Sequence, residues 1–362
     1  MKVILFEDNQ TKNLYPITLA RPSFDILCGG VSLFEVIKRE FKGSKLDFLV
    51  RDYLNDVTRQ RYKTNSVPDD KVLFLSGSLV PSFEIIKLLA KKILAGKSSV
   101  LKTKNQIFGG YLDLKELGLS LEKIKKLKTE QVENFLQSLN LKKIEINLPI
   151  FYYPWQVITY NEQILNSNLK YLKNEFIQKA PGIFIGKNVV IPKEAVLDSS
   201  HGLIVIGDGT QLLPFCHLVG PLYLGRGCLV KEFTSLKYNC CLGDVCKVGG
   251  EVEAVVLQGY CNKAHGGFLG YSYLGEWSNL GAGTVSSNLK NSYGSIKMAG
   301  IDTGHQFLGC IVGDYARTAI NTSIYTGKMI SISSHLYGTV TTDVPAFTHY
   351  AKDFGCVVEY DL

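Results

Sequence analysis

A histidine, two asparagines and several glycines are concentrated in one stretch of the chain, residues 265–288. His265 precedes two glycines, and Asn279 and Asn288 follow in the same stretch. An imidazole is the side chain best matched to removing a proton near neutral pH, glycines let a substrate approach the backbone, and carboxamides can hydrogen-bond a carbonyl or a sugar hydroxyl. The stretch predicts an acid–base site; the alternative is a structural His265. The other histidines lack such neighbours: His201, His217, His305, His335 and His349.

The elements that must position this stretch have a period of six. Aliphatic residues recur every sixth position without a slip over residues 206–248, and the pattern covers residues 182–340. This period fits neither an α-helix nor a single strand, and it is the signature of a parallel β-helix, in which three short strands form a triangular coil of about 18 residues. We expect excursions where the phase breaks, at 248–274 and 286–306, and ligand grooves between the prisms of a homotrimer.

Four cysteines each lie two residues before a predicted inward aliphatic position. That slot faces the core and requires a small apolar side chain, which a free cysteine provides. No C-x-x-C pair supports a metal site. We therefore interpret these residues as core cysteines: Cys216, Cys228, Cys240 and Cys246.

The first part of the chain alternates between short apolar runs and helical patterns. The apolar runs at 3–6, 46–50 and 72–75 predict strands, and the spacing over 32–41 and 83–95 predicts helices, the first with Ser32 as N-cap. This alternation indicates an open, largely parallel α/β sheet of the Rossmann-like class. Ligands of such sheets bind beyond the C-terminal ends of the strands.

Several polar residues follow those strand ends and define a candidate crevice. Arg21, fixed by the following proline, can bind a phosphate bidentately or form a surface salt bridge. Glu7 and Asp8 are either ligands of a divalent metal or solvated loop charge. Ser76 and Gly77, after the third strand, complete a candidate nucleotide- or phosphate-binding group.

Four segments are predicted. Residues 1–150 form the α/β domain, in which the lysine-rich, helical part from about 111 to 140 is interpreted as a peripheral insertion. Residues 151–181 form an aromatic and helical connector, 182–340 the β-helix and 341–362 a C-terminal tail.

The bulk composition is that of an ordinary globular chain. Its 362 residues are 46% hydrophobic and 20% charged, and the net charge of +7 is spread along the sequence. The charge indicates a solvated basic surface or attraction of small anionic ligands, not nucleic acid. No apolar run is long enough for a secretory signal or a membrane span, so we expect a cytoplasmic protein with reduced thiols.

The motif from Asn262 to Gly270, continued by Leu274-Gly275 and by Asn279 to Thr284 and Asn288, resembles a known family. It looks like the acetyltransferase part of the bacterial bifunctional N-acetylglucosamine-1-phosphate uridyltransferase/glucosamine-1-phosphate acetyltransferases. The run Gly275–Ala282 is closest to an alternate branch with a divergent sugar-nucleotidyltransferase domain. The resemblance implies a left-handed β-helix acyltransferase domain after a sugar-nucleotidyltransferase-like one.

By the same resemblance, His265 is the general base that deprotonates the amine of glucosamine 1-phosphate for attack on acetyl-CoA. Phe268, Asn288, Asn279 and Ala282 match positions that contact the sugar phosphate or the acyl donor. Glu253 resembles a sugar-contacting carboxylate, and Lys237 stands in for one phosphate-binding residue.

Two departures from the family pattern leave alternatives open. The basic phosphate-binding residues are incomplete, and the glycine-rich loop and metal-binding aspartate of a nucleotidyltransferase are missing after the first and third strands. The resemblance implies uridylyl transfer with Mg²⁺, giving UDP-N-acetylglucosamine, while the metal ligands stay unknown. The alternatives are an enzyme with one activity only, or a non-catalytic trimeric scaffold that binds a nucleotide sugar.

Overall fold

The computed structural model divides the chain into two compact units, described below one at a time. It describes residues 1–62, 69–94, 96–104 and 106–359. The first unit comprises Met1–Leu14, Ala20–Ile26 and Val31–Tyr152, and the second comprises Tyr15–Leu19, Leu27–Gly30 and Tyr153–Leu362.

The first unit alternates strands and helices. Its strands are β1 (Lys2–Phe6), β2 (Lys45–Leu49), β3 (Lys71–Ser76), β4 (Ser99–Lys102), β5 (Ile107–Asp113) and β6 (Lys142–Glu145). Its α-helices are α1 (Leu33–Glu40), α2 (Asn55–Arg61), α3 (Phe83–Leu94), α4 (Leu121–Lys125) and α5 (Val132–Ser138). Short 3-10 helices lie at Thr11–Leu14, Ser23–Asp25, Asp52–Leu54 and Thr129–Gln131.

These strands form one sheet in the order β2-β1-β3-β5-β4-β6. β1 pairs in parallel with both β2 and β3, whereas β5 runs antiparallel to β3 and β4. The predicted α/β sheet is therefore confirmed, with one strand reversed. β5 is tolerated at the centre because its glycines approach the backbone of its neighbours: a Cβ at Gly109 would lie 2.3 Å from the carbonyl oxygen of Phe74.

The predicted helices and strands of this unit form close to their predicted bounds. Ser32 caps α1, accepting a hydrogen bond from the backbone nitrogen of Glu35. α3 ends at Leu94, and residue 95 of the predicted helix lies outside the described residues. The sequence patterns did not predict the strands β4, β5 and β6.

The interpretation of residues 111–140 as a peripheral insertion is wrong. Tyr111 lies in the central strand β5, and Val132 and Leu136 of α5 are fully buried. With Ile124 they join Phe6, Phe74 and Leu112 in one hydrophobic cluster. Because the segment is rich in lysine, the sequence did not reveal the buried apolar residues that cover the sheet.

The second unit contains one long helix and many short strands. The helix is α6 (Gln156–Leu172), followed by a 3-10 helix at Lys173–Glu175. The strands up to residue 263 are β7 (Ile177–Ala180), β8 (Ile183–Ile185), β9 (Val196–Asp198), β10 (Ile204–Ile206), β11 (Gln211–Leu212), β12 (His217–Val219), β13 (Leu222–Leu224), β14 (Leu229–Val230), β15 (Ser235–Lys237), β16 (Cys240–Leu242), β17 (Lys247–Val248), β18 (Glu251–Glu253), β19 (Val256–Leu257) and β20 (Asn262–Lys263).

The later strands continue the same architecture. They are β21 (Phe268–Gly270), β22 (Tyr273–Leu274), β23 (Val285–Ser286), β24 (Lys297–Met298), β25 (Ile301–Asp302), β26 (Ile311–Val312), β27 (Arg317–Thr318), β28 (Ser323–Ile324), β29 (Met329–Ile330), β30 (His335–Leu336), β31 (Thr339–Val340), β32 (Thr348–Ala351) and β33 (Cys356–Glu359). β24 and β25 form an antiparallel hairpin in the second predicted excursion.

Successive strands stack in parallel on three faces, so the predicted parallel β-helix is confirmed. The first face has the order β29-β26-β22-β19-β16-β13-β10-β8. The second face contains β11-β14-β17-β20 and β27-β30-β32, joined through single-residue bridges at Asn279. The third face has the order β31-β28-β23-β21-β18-β15-β12-β9.

The six-residue repeat places its aliphatic side chains in the interior. Over residues 206–248 each repeat position is at most 1% exposed, while Ile185, Ile191 and Leu197 of the first coil are partly buried. The four cysteines interpreted as core residues lie in the same cluster, as predicted. Burying an aliphatic side chain contributes roughly 1.5–3 kcal/mol, so the repeats carry most of the stability of this unit.

Two segments from the beginning of the chain belong to this second unit. The backbone nitrogen of Leu27 donates to Oε1 of Gln258 at 2.9 Å, and that of Gly29 donates to Oδ1 of Asn161 at 2.8 Å. A Cβ at Gly29 would lie 2.6 Å from Ile164, so only glycine fits there. None of the described helices, α6 included, is both long and apolar enough to span a membrane.

Candidate functional site

His265 lies at the corner between the second and third faces, and its side chain is exposed. It follows β20 and precedes β21. A Cβ added at Gly266 would meet no atom within 4 Å, so the space beside the imidazole is open. His265 is therefore not buried in the core, and the alternative interpretation of a structural histidine is wrong.

Small residues of the adjacent coils surround this corner. Gly249-Gly250 lies in the preceding coil and Ala282-Gly283 in the following one, whose Gly283 nitrogen donates to the Gly266 carbonyl at 3.2 Å. A Cβ at Gly250 would lie 2.7 Å from the Gly267 carbonyl oxygen, and Gly250 has φ +78°. Side chains are thus excluded around the imidazole, which leaves backbone groups accessible to a ligand.

Asn279 lies on the second face beside this corner. Its Oδ1 accepts a hydrogen bond of 2.6 Å from Nδ2 of Asn262 in the preceding coil. This bond orients the amide, and Nδ2 of Asn279 is then the group that can donate to a ligand. The backbone of Asn279 also bridges to Arg317 in the following coil, whose side chain is exposed.

The remaining predicted residues of the β-helix lie on the third face. Glu253 pairs with Lys237 of the preceding coil and with Gly270 of the following one. A Cβ at Gly270 would lie 2.5 Å from Cζ of Phe268 and 2.9 Å from Nδ2 of Asn288, so both side chains converge above this glycine. The structure thus brings together four predicted residues on one outer surface: Lys237, Glu253, Phe268 and Asn288.

A cleft at the far end of this surface was not predicted from the sequence. It has a volume of about 280 Å³ and is lined by Ile158, Thr159 and Glu162 of α6, by Tyr271 and by residues 304–308. Burial, and then the charge of Glu253, raise the pKa of Glu162. Burial, followed by Glu253 and Glu162, raises the pKa of Tyr271 to about 12. The sequence offered no signal for this cleft, because α6 supplies one wall from far along the chain.

Lys263 is a second residue that the sequence patterns did not single out. Its side chain is 1% exposed, and its strand position pairs with the buried Val248. Nζ donates to the carbonyl oxygen of Gly249 at 3.0 Å and to that of His265 at 2.7 Å. An ammonium group is therefore enclosed in the β-helix directly behind the exposed histidine. Desolvation by burial lowers its pKa to about 8.

This burial predicts that stability depends on pH through Lys263. The pKa falls from 10.5 to about 8 on folding. Below pH 8 Lys263 is protonated in both the folded and the unfolded state, and the folded state carries the full desolvation penalty. Between the two pKa values the unfolded chain binds more protons, so the free energy of unfolding rises with pH. Relative to Lys263→Met, the free energy of unfolding should increase by up to about 3 kcal/mol across this range. Urea denaturation of both proteins across this pH range measures the effect. A difference in unfolding free energy that does not change with pH would contradict the burial of Lys263.

The predicted cation of the first unit, Arg21, is buried at 2% exposure. Its Nη1 lies 3.4 Å from Oδ2 of Asp25, a carboxylate that Arg61 and Tyr62 also contact. Burial, then the charge of Asp25, raise the pKa of Tyr62 well above its ordinary value. The surface salt bridge weighed for Arg21 is wrong, because the pair is interior. A phosphate could reach the guanidinium only after this network had moved.

The carboxylates predicted to line the crevice are bonded to other protein side chains. Glu7, 2% exposed, forms a two-point ion pair with Arg51, whose Nε and Nη2 donate at 2.9 and 2.8 Å. Asp8, 5% exposed, accepts from the hydroxyls of Ser76 and Ser78. The interpretation of Glu7 and Asp8 as solvated loop charge is therefore wrong.

The same contacts decide whether this crevice fits Mg²⁺. The oxygens of both carboxylates are engaged by protein donors, and desolvation by burial raises the pKa of Asp8, which disfavours the anion that a metal requires. Among the described residues no group of three His, Cys, Asp or Glu side chains could hold a metal ion. In this conformation the residues do not fit Mg²⁺. Gly77 is also engaged, since its nitrogen donates to the Phe6 carbonyl at 2.7 Å.

Comparison with known proteins finds one matching family and several curated relatives. Residues 3–176 match a family described as sugar nucleotidyl transferase. The bifunctional protein GlmU of Paracoccus denitrificans is 30% identical over 145 residues, covering 39% of this chain and 30% of that protein. The bifunctional protein GlmU of Methanococcus aeolicus is 26% identical over 248 residues, covering 66% of this chain and 54% of that protein.

This chain thus spans about half or less of the length of these curated relatives. Among solved structures, an Arabidopsis UDP-N-acetylglucosamine acyltransferase matches with a TM-score of 0.28 and 15% identity, over 47% of this chain and 67% of that one. The sequence matches, together with an α/β unit followed by a parallel β-helix, show that the chain resembles the GlmU proteins and matches the sugar nucleotidyl transferase family over residues 3–176.

Proposed function

We propose that the protein is a transferase of sugar-nucleotide biosynthesis that N-acetylates an amino-sugar phosphate with acetyl-CoA. Glucosamine 1-phosphate is the acceptor that the family relationship favours. The observation that carries the proposal is the exposure of His265 at an open, glycine-lined corner. Asn279 and Ala282 flank that corner on the second face, and Phe268 and Asn288 lie beside it on the third.

In the proposed reaction, the imidazole of His265 takes a proton from the acceptor's amino group. The nitrogen then forms a bond to the thioester carbonyl carbon of acetyl-CoA, and the carbon–sulfur bond breaks. The thiolate of coenzyme A leaves and recovers a proton from the imidazolium. A base placed in this way accelerates such a step about 10²–10⁴-fold.

The proposed ligand contacts lie on the two faces that meet at His265. On the second face, Nδ2 of Asn279 can donate to the sugar phosphate or to the acyl donor, and the backbone of Ala282, in the following coil, meets the acyl donor. On the third face, Phe268 contacts the sugar, Asn288 can donate to the sugar phosphate or to the acyl donor, and Lys237 attracts the phosphate. Glu253, one coil from Phe268 and close to the acidic cleft, binds sugar hydroxyls away from that phosphate.

For the first unit we propose uridylyl transfer to the N-acetylated sugar phosphate, giving UDP-N-acetylglucosamine. The family match over residues 3–176 supports it. A second candidate is a protein with acetyl transfer only. The enclosure of Arg21 by Asp25 and the pairing of Glu7 with Arg51 favour this candidate, because phosphate and Mg²⁺ would compete with existing protein partners.

Two assays test these functions separately. The full chain is first incubated with glucosamine 1-phosphate and acetyl-CoA, and free thiol is followed. It is then incubated with UTP, Mg²⁺ and N-acetylglucosamine 1-phosphate, and pyrophosphate is followed. Thiol release that requires the sugar supports acetyl transfer, and its absence contradicts it. Pyrophosphate release separates the bifunctional protein from the protein with one activity.

A further inference from the structure

We propose that Lys263 is a positioning residue for the reaction at His265, a role that rests on the proposed acetyl transfer. Its ammonium group lies inside the β-helix and bonds the backbone of two successive coils at the histidine corner: the Gly249 carbonyl below and the His265 carbonyl itself. It acts through His265 and does not contact substrate.

The position of Lys263 is unusual for this architecture. The inward residues of the second face are otherwise uncharged throughout the described coils: Leu212, Val230, Val248, Leu280, Thr318, Leu336 and Tyr350. An ammonium in such an interior costs free energy unless it is well hydrogen-bonded. A leucine would fill the slot without that cost, so the lysine indicates a requirement specific to this coil.

The requirement arises from the shape of the histidine corner. Inward residues are six positions apart at Val230 and Leu236, but only four at Val248 and Val252, because Gly249-Gly250 shortens the turn. The corner below His265 therefore lacks side chains that could support it. Lys263 supplies the missing support from the interior by tying the Gly249 and His265 carbonyls to one cation.

A fixed corner matters because His265 must meet an amine and a thioester at once. Displacement of a catalytic group by about 1 Å can lower a rate by about 10²-fold. The imidazole projects from a turn with two following glycines, which has little rigidity of its own. Holding the carbonyl of the same residue restricts the direction in which its side chain leaves the backbone.

The first test measures the support directly and does not require any activity. Lys263→Met retains the length and loses the donors. In its hydrogen exchange, the amides of Glu251 and Gly283, which bond to the carbonyls of Gly267 and Gly266, should exchange at least about tenfold faster, because the corner that carries their acceptors has lost the bonds from Lys263. Lys231→Met, two coils below with a partly exposed lysine, should leave these amides unchanged. If Lys263→Met fails to fold, Lys263→Gln serves in its place.

The second test measures the consequence for the reaction. For Lys263→Met, kcat of thiol release should fall about 10- to 100-fold with KM for acetyl-CoA within about twofold of wild type, and Lys263→Gln, which retains a donor, should recover part of kcat. Unchanged exchange at Glu251 and Gly283 would overturn the proposal, and so would faster exchange with wild-type kcat. A wild-type protein without thiol release would instead refute the acetyl transfer, while the exchange experiment would still decide whether Lys263 holds the corner.

Discussion

Replacing His265 by alanine is expected to lower the rate of thiol release from acetyl-CoA by about 10²–10⁴-fold, the range for loss of a general base. The side chain is exposed and makes no core contact, so the unfolding transition should not move. Pyrophosphate release from UTP, if the wild type shows it, should also be retained, because Arg21, Ser76 and the other candidate nucleotide ligands belong to the first unit.

His217→Ala is the matched control for this variant. His217 is another exposed histidine of the β-helix, on β12 of the third face and three coils before β21. It should retain wild-type thiol release. Equal rates for His265→Ala and wild type would remove the imidazole from the reaction, whereas equal losses in both histidine variants would indicate a nonspecific effect.

The largest loss of stability is expected for Asp25→Ala in the first unit. Asp25 is the carboxylate between Arg21, Arg61 and the hydroxyl of Tyr62, and Arg21 is 2% exposed. Removing one partner of a buried ion pair typically costs 3–5 kcal/mol, since the remaining charge stays desolvated. Urea denaturation should therefore show a loss of about 3–5 kcal/mol.

The transition should be followed by far-ultraviolet circular dichroism, because the first unit contains five of the six described α-helices and both tryptophans, Trp155 and Trp277, belong to the second unit. Asp70→Ala is the control: its partner is Lys115, and the two side chains are 57% and 78% exposed. An exposed pair contributes about 1 kcal/mol or less. Equal losses for Asp25→Ala and Asp70→Ala would show that the Arg21 network is not a buried ion pair.

The repeat made the β-helix predictable, because one residue in six must point inward and any slip would expose an aliphatic side chain. The excursion predicted at residues 248–274, which contain His265, is wrong: β18 to β21 stay in the stacked sheets, and the phase breaks because the corner at Gly249-Gly250 is shortened. The α/β sheet was predicted only in part. β5 and α5 escaped detection because the lysine-rich run between them, residues 115–128, dominates the composition of the segment.

The charged interior residues could not be predicted by treating charge as a surface property. Arg21, Glu7 and Asp8 were weighed as ligands or surface groups, yet each is buried against a protein partner: Asp25 for Arg21, and the more distant Arg51 and Ser76 for Glu7 and Asp8. For Lys263 a signal did exist. It lies six residues after Leu257 and six before Leu269, so the repeat itself assigns it to the interior.

The segments at 15–19 and 27–30, which belong to the second unit although they precede most of the first, have a consequence for any attempt to divide this protein. A gene fragment beginning at residue 153 would encode a β-helix without the backbone amides of Leu27 and Gly29, which donate hydrogen bonds to Gln258 and Asn161. Limited proteolysis after Tyr152 would leave that material attached to the wrong half. Neither half, if produced alone, would therefore reproduce the structure that it has in the intact chain.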